Sequence, residues 1–254
     1  MAARKARFAD YLDLLKAFNH SGTEALIVGG QAVNLWAEIF QSEEPELSRF
    51  QPFTSSDLDL LRPNLPAREV LRALAQYTEH QRDPFGKAFT IVSHTFLIRG
   101  AGGNVLPVHD LKMVVGLGPA DLRKHALHVE FAGVRVHVLN PIACLMAKLH
   151  NIIAIDQRDR QDEKHVRILI PCVRGFLRRL IMEAAQSDNY RPVLDALKHV
   201  LACTSKRRVL SVAQLHGFDL SRTLPVAELK SNPHPKLARF AAMQLPRWER
   251  LLRK

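Results

Sequence analysis

The stretch ALIVGGQAVNLWAE, residues 25–38, decides how the rest of the chain is read. It opens with a short apolar run of the kind that forms a buried strand, and AVNLWAEIF (32–40) has the apolar spacing of a helix. Gly29 and Gly30 stand between them. A strand that turns through two glycines into a helix leaves the first helical N–H groups without partners, and the missing side chains let an anion approach the main chain. A glycine pair here also serves simply to permit the turn or a tight packing contact. Gln31 and Asn34 add amide donors near the helix start.

The next informative stretch is SDLDLL (56–61), reached through the polar, proline-containing QSEEPELSRFQPF (41–53). On a strand, Asp57 and Asp59 project from one face while Leu58 and Leu60 enter the core. Two carboxylates held that close repel each other, and a divalent metal relieves the repulsion. Mg²⁺ favours carboxylate oxygen and completes its shell with water and substrate phosphates, which matches an anion site nearby. The plainer alternative is a strand end at which the aspartates cap a turn.

Working outward, Phe8, Tyr11, Leu12, Leu15 and Phe18 recur at helical spacing and predict a helix over 6–19. PAREVLRALAQYTEH (66–80) predicts another helix, and AFTIVSHTFLIRG (88–100), NVLPVHDLKMVV (104–115) and VRVHVLN (134–140) predict three strands. From Pro141 the runs 141–155, 162–185, 192–202 and 235–252 all carry helical period, with Pro171 predicting a kink or split in the second. Residues 216–235 read as the most loop-like late segment. The expected fold class is α+β, a mixed sheet flanked by helices over residues 1–140 followed by a helical domain over 141–254.

Composition bounds the partners. A chain of 254 residues, 47% hydrophobic, is long enough to bury a sizeable core. The net charge of +11 is concentrated in clusters such as CVRGFLRRL (172–180), TSKRRVL (204–210) and PRWERLLRK (246–254). These suit a polyanionic partner, or equally a set of solvated helix faces. No apolar run approaches the roughly 18 residues of a membrane span, and MAARKARFADYLDLLKAF goes straight into an amphipathic helix, so a cytoplasmic protein with no membrane partner is expected. Cys144, Cys172 and Cys203, odd in number and set among apolar neighbours, read as reduced packing residues.

The order strand, GG, helix, loop, strand bearing D-x-D resembles the nucleotidyltransferase superfamily related to DNA polymerase β. The resemblance implies a nucleotidyltransferase fold in which Gly29 and Gly30 lie on a nucleoside triphosphate, with Ser56 and Asn34 as further contacts. It implies a two-metal Mg²⁺ site on Asp57 and Asp59, with a third carboxylate on a later strand. Asp110 in NVLPVHDLKMV is the expected third carboxylate, although it also reads as a turn residue. His109 beside it reads as a surface histidine, and His137 lies on a strand that faces the same cleft.

Within the superfamily, LNPIACLMAKLHNIIAIDQRDRQDEKHVRIL (139–169) resembles the AbiEii-type enzymes, known as toxins of abortive-infection and toxin–antitoxin systems. The matching positions are Pro141, Lys148, Arg158, Asp162 and Lys164, with the lysine-aspartate order altered in QDEKH. That resemblance implies Lys148 as a catalytic neutraliser of phosphate charge, and Asp162 and Lys164 as nucleotide contacts. A lysine snorkelling from an apolar helix is the alternative for Lys148.

The implied function is transfer of a nucleoside monophosphate from an NTP such as ATP to an acceptor hydroxyl, with RNA, particularly a tRNA 3′ end, as acceptor and an antitoxin protein as partner. The alternatives are an antibiotic-modifying enzyme of the same fold and a non-catalytic nucleotide- or RNA-binding protein.

Overall fold

The computed structural model describes residues 5–80, 91–100, 103–158 and 160–252. Residues 88–90 of the expected strand 88–100, and the last two residues of the basic cluster 246–254, lie outside these. By Cα proximity the chain divides into two compact units, and the division is not a single cut. The first unit holds residues up to Glu38 and Phe50–Ala147; the second holds Ile39–Arg49 and the chain from Lys148 onward.

The first unit opens with a 3-10 turn, Phe8–Tyr11, that leads into α1 (Leu12–His20). Phe8, Tyr11, Leu15 and Phe18 are buried as the helical spacing requires, whereas Leu12 is half-buried and Leu14 is buried in its stead. Strand β1 (Leu26–Val28) runs into α2 (Gly29–Phe40) with no loop between them. After a 3-10 segment, Pro45–Phe50, the chain forms β2 (Leu58–Leu61) and α3 (Leu65–Leu74), whose first turn is capped by the Asn64 side chain accepting from the Ala67 N–H at 2.9 Å.

The helix expected over 66–80 stops at Leu74, and Ala75–His80 is instead a strand, β3. Ala75 is already extended, and the Tyr77–Thr78 pair suits a sheet edge better than a helix interior. Strands β4 (Val92–Arg99) and β5 (Val105–Leu111) follow as expected. A short helix α4 (Pro119–His125) and strand β6 (Ala126–Phe131), neither legible as such in the sequence, precede β7 (Val134–Leu139). The β6–β7 hairpin turns at Ala132 and Gly133, both at positive φ.

The seven strands form one sheet in the order β3-β4-β5-β2-β1-β7-β6. It is mixed: β1 pairs with β7 and β2 with β5 in parallel, and the other neighbours are antiparallel. Ile27, Leu58, Leu60, Val108 and Val138 are fully buried along its centre, each side chain worth about 1.5–3 kcal/mol of transfer free energy. The expected α+β class, a mixed sheet with helices, is what the chain adopts.

Beyond β7 every described element is helical: α5 (Pro141–Ala154), α6 (Asp162–Ser187), α7 (Arg191–Thr204), α8 (Arg207–His216), α9 (Val226–Ser231), α10 (Pro235–Met243) and α11 (Leu245–Leu252). The expected split at Pro171 does not occur, because α6 runs through it as a single helix of 26 residues. Apolar neighbours explain the tolerance: Leu169, Ile170, Cys172 and Val173 are all buried around it, so packing offsets the lost backbone hydrogen bond. The stretch 216–235 is not wholly loop, since it contains the 3-10 turn Leu220–Thr223 and α9.

In the second unit, Arg174, Arg178 and Arg179 share one side of α6 and meet the acidic residues of 43–46. Glu44 is buried and accepts from both Arg174 and, at 2.7 Å, Arg178. Glu46 accepts from Arg174 and, at 2.6 Å, Arg222, while Arg179 pairs with Glu43 and Arg178 with Glu228. All three cysteines are buried and none is in a disulfide among the described residues, and burial pushes the Cys203 thiol up to about 11. No helix among the described residues is long and apolar enough to cross a membrane.

Candidate metal and nucleotide site

Strand register builds the site. In the antiparallel β1–β2 pair Val28 faces Asp59, and in the parallel β2–β5 pair Asp59 faces His109 and Leu60 faces Asp110. Because successive side chains alternate, Asp57, Asp59 and His109 share one face of the sheet, and Leu58, Leu60, Val108 and Asp110 share the other. The ligand atoms of Asp57, Asp59 and His109 all lie within 4.8 Å of one another. His109 Nδ1 is 3.4 Å from Asp59 Oδ1 and 3.8 Å from Asp57 Oδ2. The three side chains are half-buried, 24% exposed for Asp57, 18% for Asp59 and 22% for His109, so a ligand from solvent can reach them.

Gly29 borders this cluster. Its φ is +69°, and a β-carbon there would stand 2.0 Å from Asp59 Oδ2, so glycine is required both by the backbone and by the aspartate. Helix α2 starts at this residue, and its first N–H groups and positive dipole end lie beside the carboxylates. Gly30, expected to share the phosphate contact, is buried.

Burial pulls the His109 imidazole toward its neutral form, but its hydrogen bond to Asp59 and the charges of Asp59 and Asp57 outweigh this and leave its pKa above the ordinary histidine value. Ser56 donates to Asp57 Oδ2 at 2.7 Å, which places the hydroxyl on a carboxylate in this structure. Tyr11, unremarked in the sequence beyond its helical spacing, is fully buried close by. Its hydroxyl lies 3.4 Å from the Pro107 carbonyl. Burial, then the charges of Asp57, Asp59 and Asp10, push its phenol pKa up against the opposing hydrogen bond with Gln31, so the hydroxyl stays protonated.

Two expected members are not in the cluster. Asp110 points to the opposite face, 1% exposed, with one oxygen 2.8 Å from an Arg68 guanidinium nitrogen and 3.5 Å from His94 Nδ1. Its position opposite Leu60 dictates this, and the site face at that level belongs to His109. Asn34 is also buried, and its amide donates to Gln31 Oε1 at 3.2 Å, while Gln31 donates to the Ala6 carbonyl at 3.0 Å. Both amides thus make internal hydrogen bonds in this structure.

Lys148, Asp162 and Lys164 belong to the second unit. Lys148 Nζ is 2.7 Å from Asp162 Oδ1, and Arg160 Nε is 2.7 Å from Oδ2, with Lys148 and Asp162 both buried. Burial alone would raise the Asp162 carboxyl, but Lys148 and Arg160 outweigh it and hold it below the usual carboxylate value. With one oxygen on Lys148 and the other on Arg160, Asp162 is placed to hold Lys148. Lys164, next along α6, is half-exposed, and Arg158 pairs at the surface with Asp156. His165 is buried beside them, and burial, then Lys148, drive its pKa well down, so the ring is neutral.

A second grouping of possible ligand atoms, Glu24, His128 and His137, lies on the β6–β7 hairpin and the chain ahead of β1. His128 Nε2 is 2.6 Å from Glu24 Oε2, and the two imidazoles stack at 4.5 Å. His137 is thus engaged with Glu24 and His128 rather than with the aspartates.

No protein-family model matches the sequence, and no curated protein matches it. Among solved structures, the chain is similar to an antigenic nucleotidyltransferase-like protein from Paracoccidioides brasiliensis, with a TM-score of 0.40 and 16% identity over 72% of this chain and 89% of that one. It is also similar to the Megavirus polyadenylate synthase, with a TM-score of 0.37 and 12% identity over 90% of this chain and 51% of that one. Likenesses this low carry no weight for function.

Proposed function

We propose that the protein is a divalent-cation-dependent nucleotidyltransferase that moves a nucleoside monophosphate from an NTP to an acceptor hydroxyl and releases pyrophosphate. The observation that carries this reading is the convergence of Asp57, Asp59 and His109 beside Gly29, at the start of α2. Two carboxylates and an imidazole that can share one centre suit a divalent cation, whereas a protein needing only solubility gains nothing from holding like charges together. The start of α2 supplies backbone N–H donors for the phosphates. Gly29 keeps Asp59 against the helix start, so carboxylate and amides face the same volume.

A bound cation would polarise the phosphoryl oxygens and lower the pKa of the attacking hydroxyl. Around it, Ser56 orients the Asp57 carboxylate, Tyr11 is a buried neutral phenol that feels the charge of both aspartates, and His109 Nδ1 lies 3.4 Å from Asp59 Oδ1.

The +11 charge favours RNA as acceptor, and the resemblance of 139–169 to AbiEii-type toxins points to a tRNA 3′ end, with an antitoxin as protein partner and the cytoplasm as the place of action. Labelled ATP, CTP, GTP and UTP incubated with the protein, divalent cation and total RNA test this directly. Label in RNA is expected; label appearing only on an aminoglycoside or a protein moves the acceptor, and no transfer to any of these removes the catalytic reading. The placement of Asp110 on the far face favours one second reading, a non-catalytic nucleotide- or RNA-binding protein that keeps the fold, for which NTP binding without transfer is the expected result.

A further inference from the structure

The two-metal Mg²⁺ site implied by the family resemblance calls for a third carboxylate, and among the described residues the cluster brings together two carboxylates and an imidazole. Asp110 cannot join them by a rotamer change. It faces Leu60 across the β2–β5 pair, is 1% exposed, and is held by Arg68 at 2.8 Å; reaching the other face would require slipping β5 by one residue, which would expose Val108 and Leu106. The position beside Asp59 is filled by His109, whose Nδ1 stands within 4 Å of both aspartates.

We infer that Asp57, Asp59 and His109 form a three-ligand site for a single divalent cation of the transition-metal class, with His109 Nδ1 as a direct ligand where a third carboxylate would otherwise stand. The inference rests on the reading of Asp57 and Asp59 as metal ligands. An N,O,O donor set is mismatched to Mg²⁺, which takes oxygen and holds its waters tightly, and is suited to Mn²⁺, Co²⁺ or Zn²⁺, which accept imidazole. Two ligating carboxylates balance the charge of one dication and not of two. Two of the three ligands, Asp59 and His109, are paired residues of β2 and β5, and Asp57 is the residue just ahead of β2.

The competing explanation is that His109 only hydrogen-bonds the carboxylates and never touches metal. Electron paramagnetic resonance of Mn²⁺ bound to the whole protein separates the two, because a coordinated imidazole nitrogen couples to the electron spin and a hydrogen-bonding one does not. One Mn²⁺ per chain is expected, with coupling from one nitrogen, displaced by Zn²⁺ at concentrations about tenfold or more below those of Mg²⁺. His109→Ala should lose the coupling and weaken Mn²⁺ at least about tenfold, the equivalent of about 1.4 kcal/mol. His109→Asp should lose the coupling, keep the ion and gain affinity for Mg²⁺.

Mn²⁺ bound without nitrogen coupling in the unaltered protein, or two ions of similar affinity per chain, would overturn this inference and leave the nucleotidyltransferase reading standing. Failure to bind any Mn²⁺ in a manner that depends on Asp57 and Asp59 would overturn both. The coupling is read on the unaltered protein, so the outcome does not depend on a variant folding.

Discussion

Asp59 and Gly29 fit together only because one of them has no side chain. The Asp59 carboxylate occupies the space where a residue-29 β-carbon would sit, 2.0 Å from Oδ2 and 3.0 Å from the aspartate's own β-carbon. Gly29→Ala therefore combines a left-handed backbone cost of about 1–2 kcal/mol with displacement of the carboxylate. Lower stability and weaker cation binding are expected together, by chemical denaturation and by calorimetric titration. In an Asp59→Ala background the clash with the carboxylate is removed and a 3.0 Å approach to the residue-59 β-carbon remains, so the double-mutant cycle should show a positive coupling.

Replacing Asp57 and Asp59 together by alanine removes two half-buried like charges, with their contacts to His109 and the Ser56 hydrogen bond to Asp57. Transfer of labelled nucleotide should vanish, with stability within about 1 kcal/mol of the parent. Unfolding of the double variant would mark the aspartates as structural and take away the main support for catalysis.

Arg68 and Asp110 pair on the sheet face opposite Asp57 and Asp59. Arg68→Met leaves the 1%-exposed Asp110 carboxylate without its cation and should cost about 3–5 kcal/mol. Cation affinity at Asp57 and Asp59, measured well below the lowered melting temperature, should be unchanged. A loss of affinity as large as that from Asp59→Ala would place Asp110 back in the site.

Asp162 gives the second unit a pH dependence. Its folded-state pKa is depressed, so it contributes stability that is complete above the unfolded carboxyl pKa, about 3.9, and is lost as pH falls through the lower folded value. Asp162→Asn should flatten that acid limb of the stability curve. At neutral pH it should cost about 3–5 kcal/mol, because buried Lys148 loses its counterion. Lys148→Met in the same chain should recover part of the loss.

The local order of elements around the site was legible because each step has a short-range cause: an apolar run ended by glycines, a polar loop with prolines, and an alternating acidic strand. The common face of Asp57 and Asp59 follows from period two alone. The same period puts Asp110 on the face of Val108, and Val108 is fully buried, so the alternation itself assigns Asp110 to the core. What single-sequence reasoning lacked was the partner strand: only the pairing of Asp59 with His109 shows which residue of β5 reaches the cluster.

The helix predicted over 66–80 failed for a related reason. Local propensity is weak at Ala75–His80, and pairing with β4 decides the outcome. The family pattern points to Lys148 and to Asp162 with Lys164 as separate features, and the bond between Lys148 and Asp162 depends on packing that no spacing rule encodes.

The sheet order has a kinetic consequence. The strands that carry the site, β1, β2 and β5, each have a neighbour on both sides, and β3 and β6 form the two edges. Amide hydrogens of Ile27, Leu60 and Val108 should accordingly exchange with solvent only when the unit opens as a whole, while those of β3 and β6 exchange through fraying. The donor atoms then ride on the slowest-exchanging part of the unit. Most of the ordering entropy of the site is spent when the chain folds, and little is left to be lost when a ligand arrives.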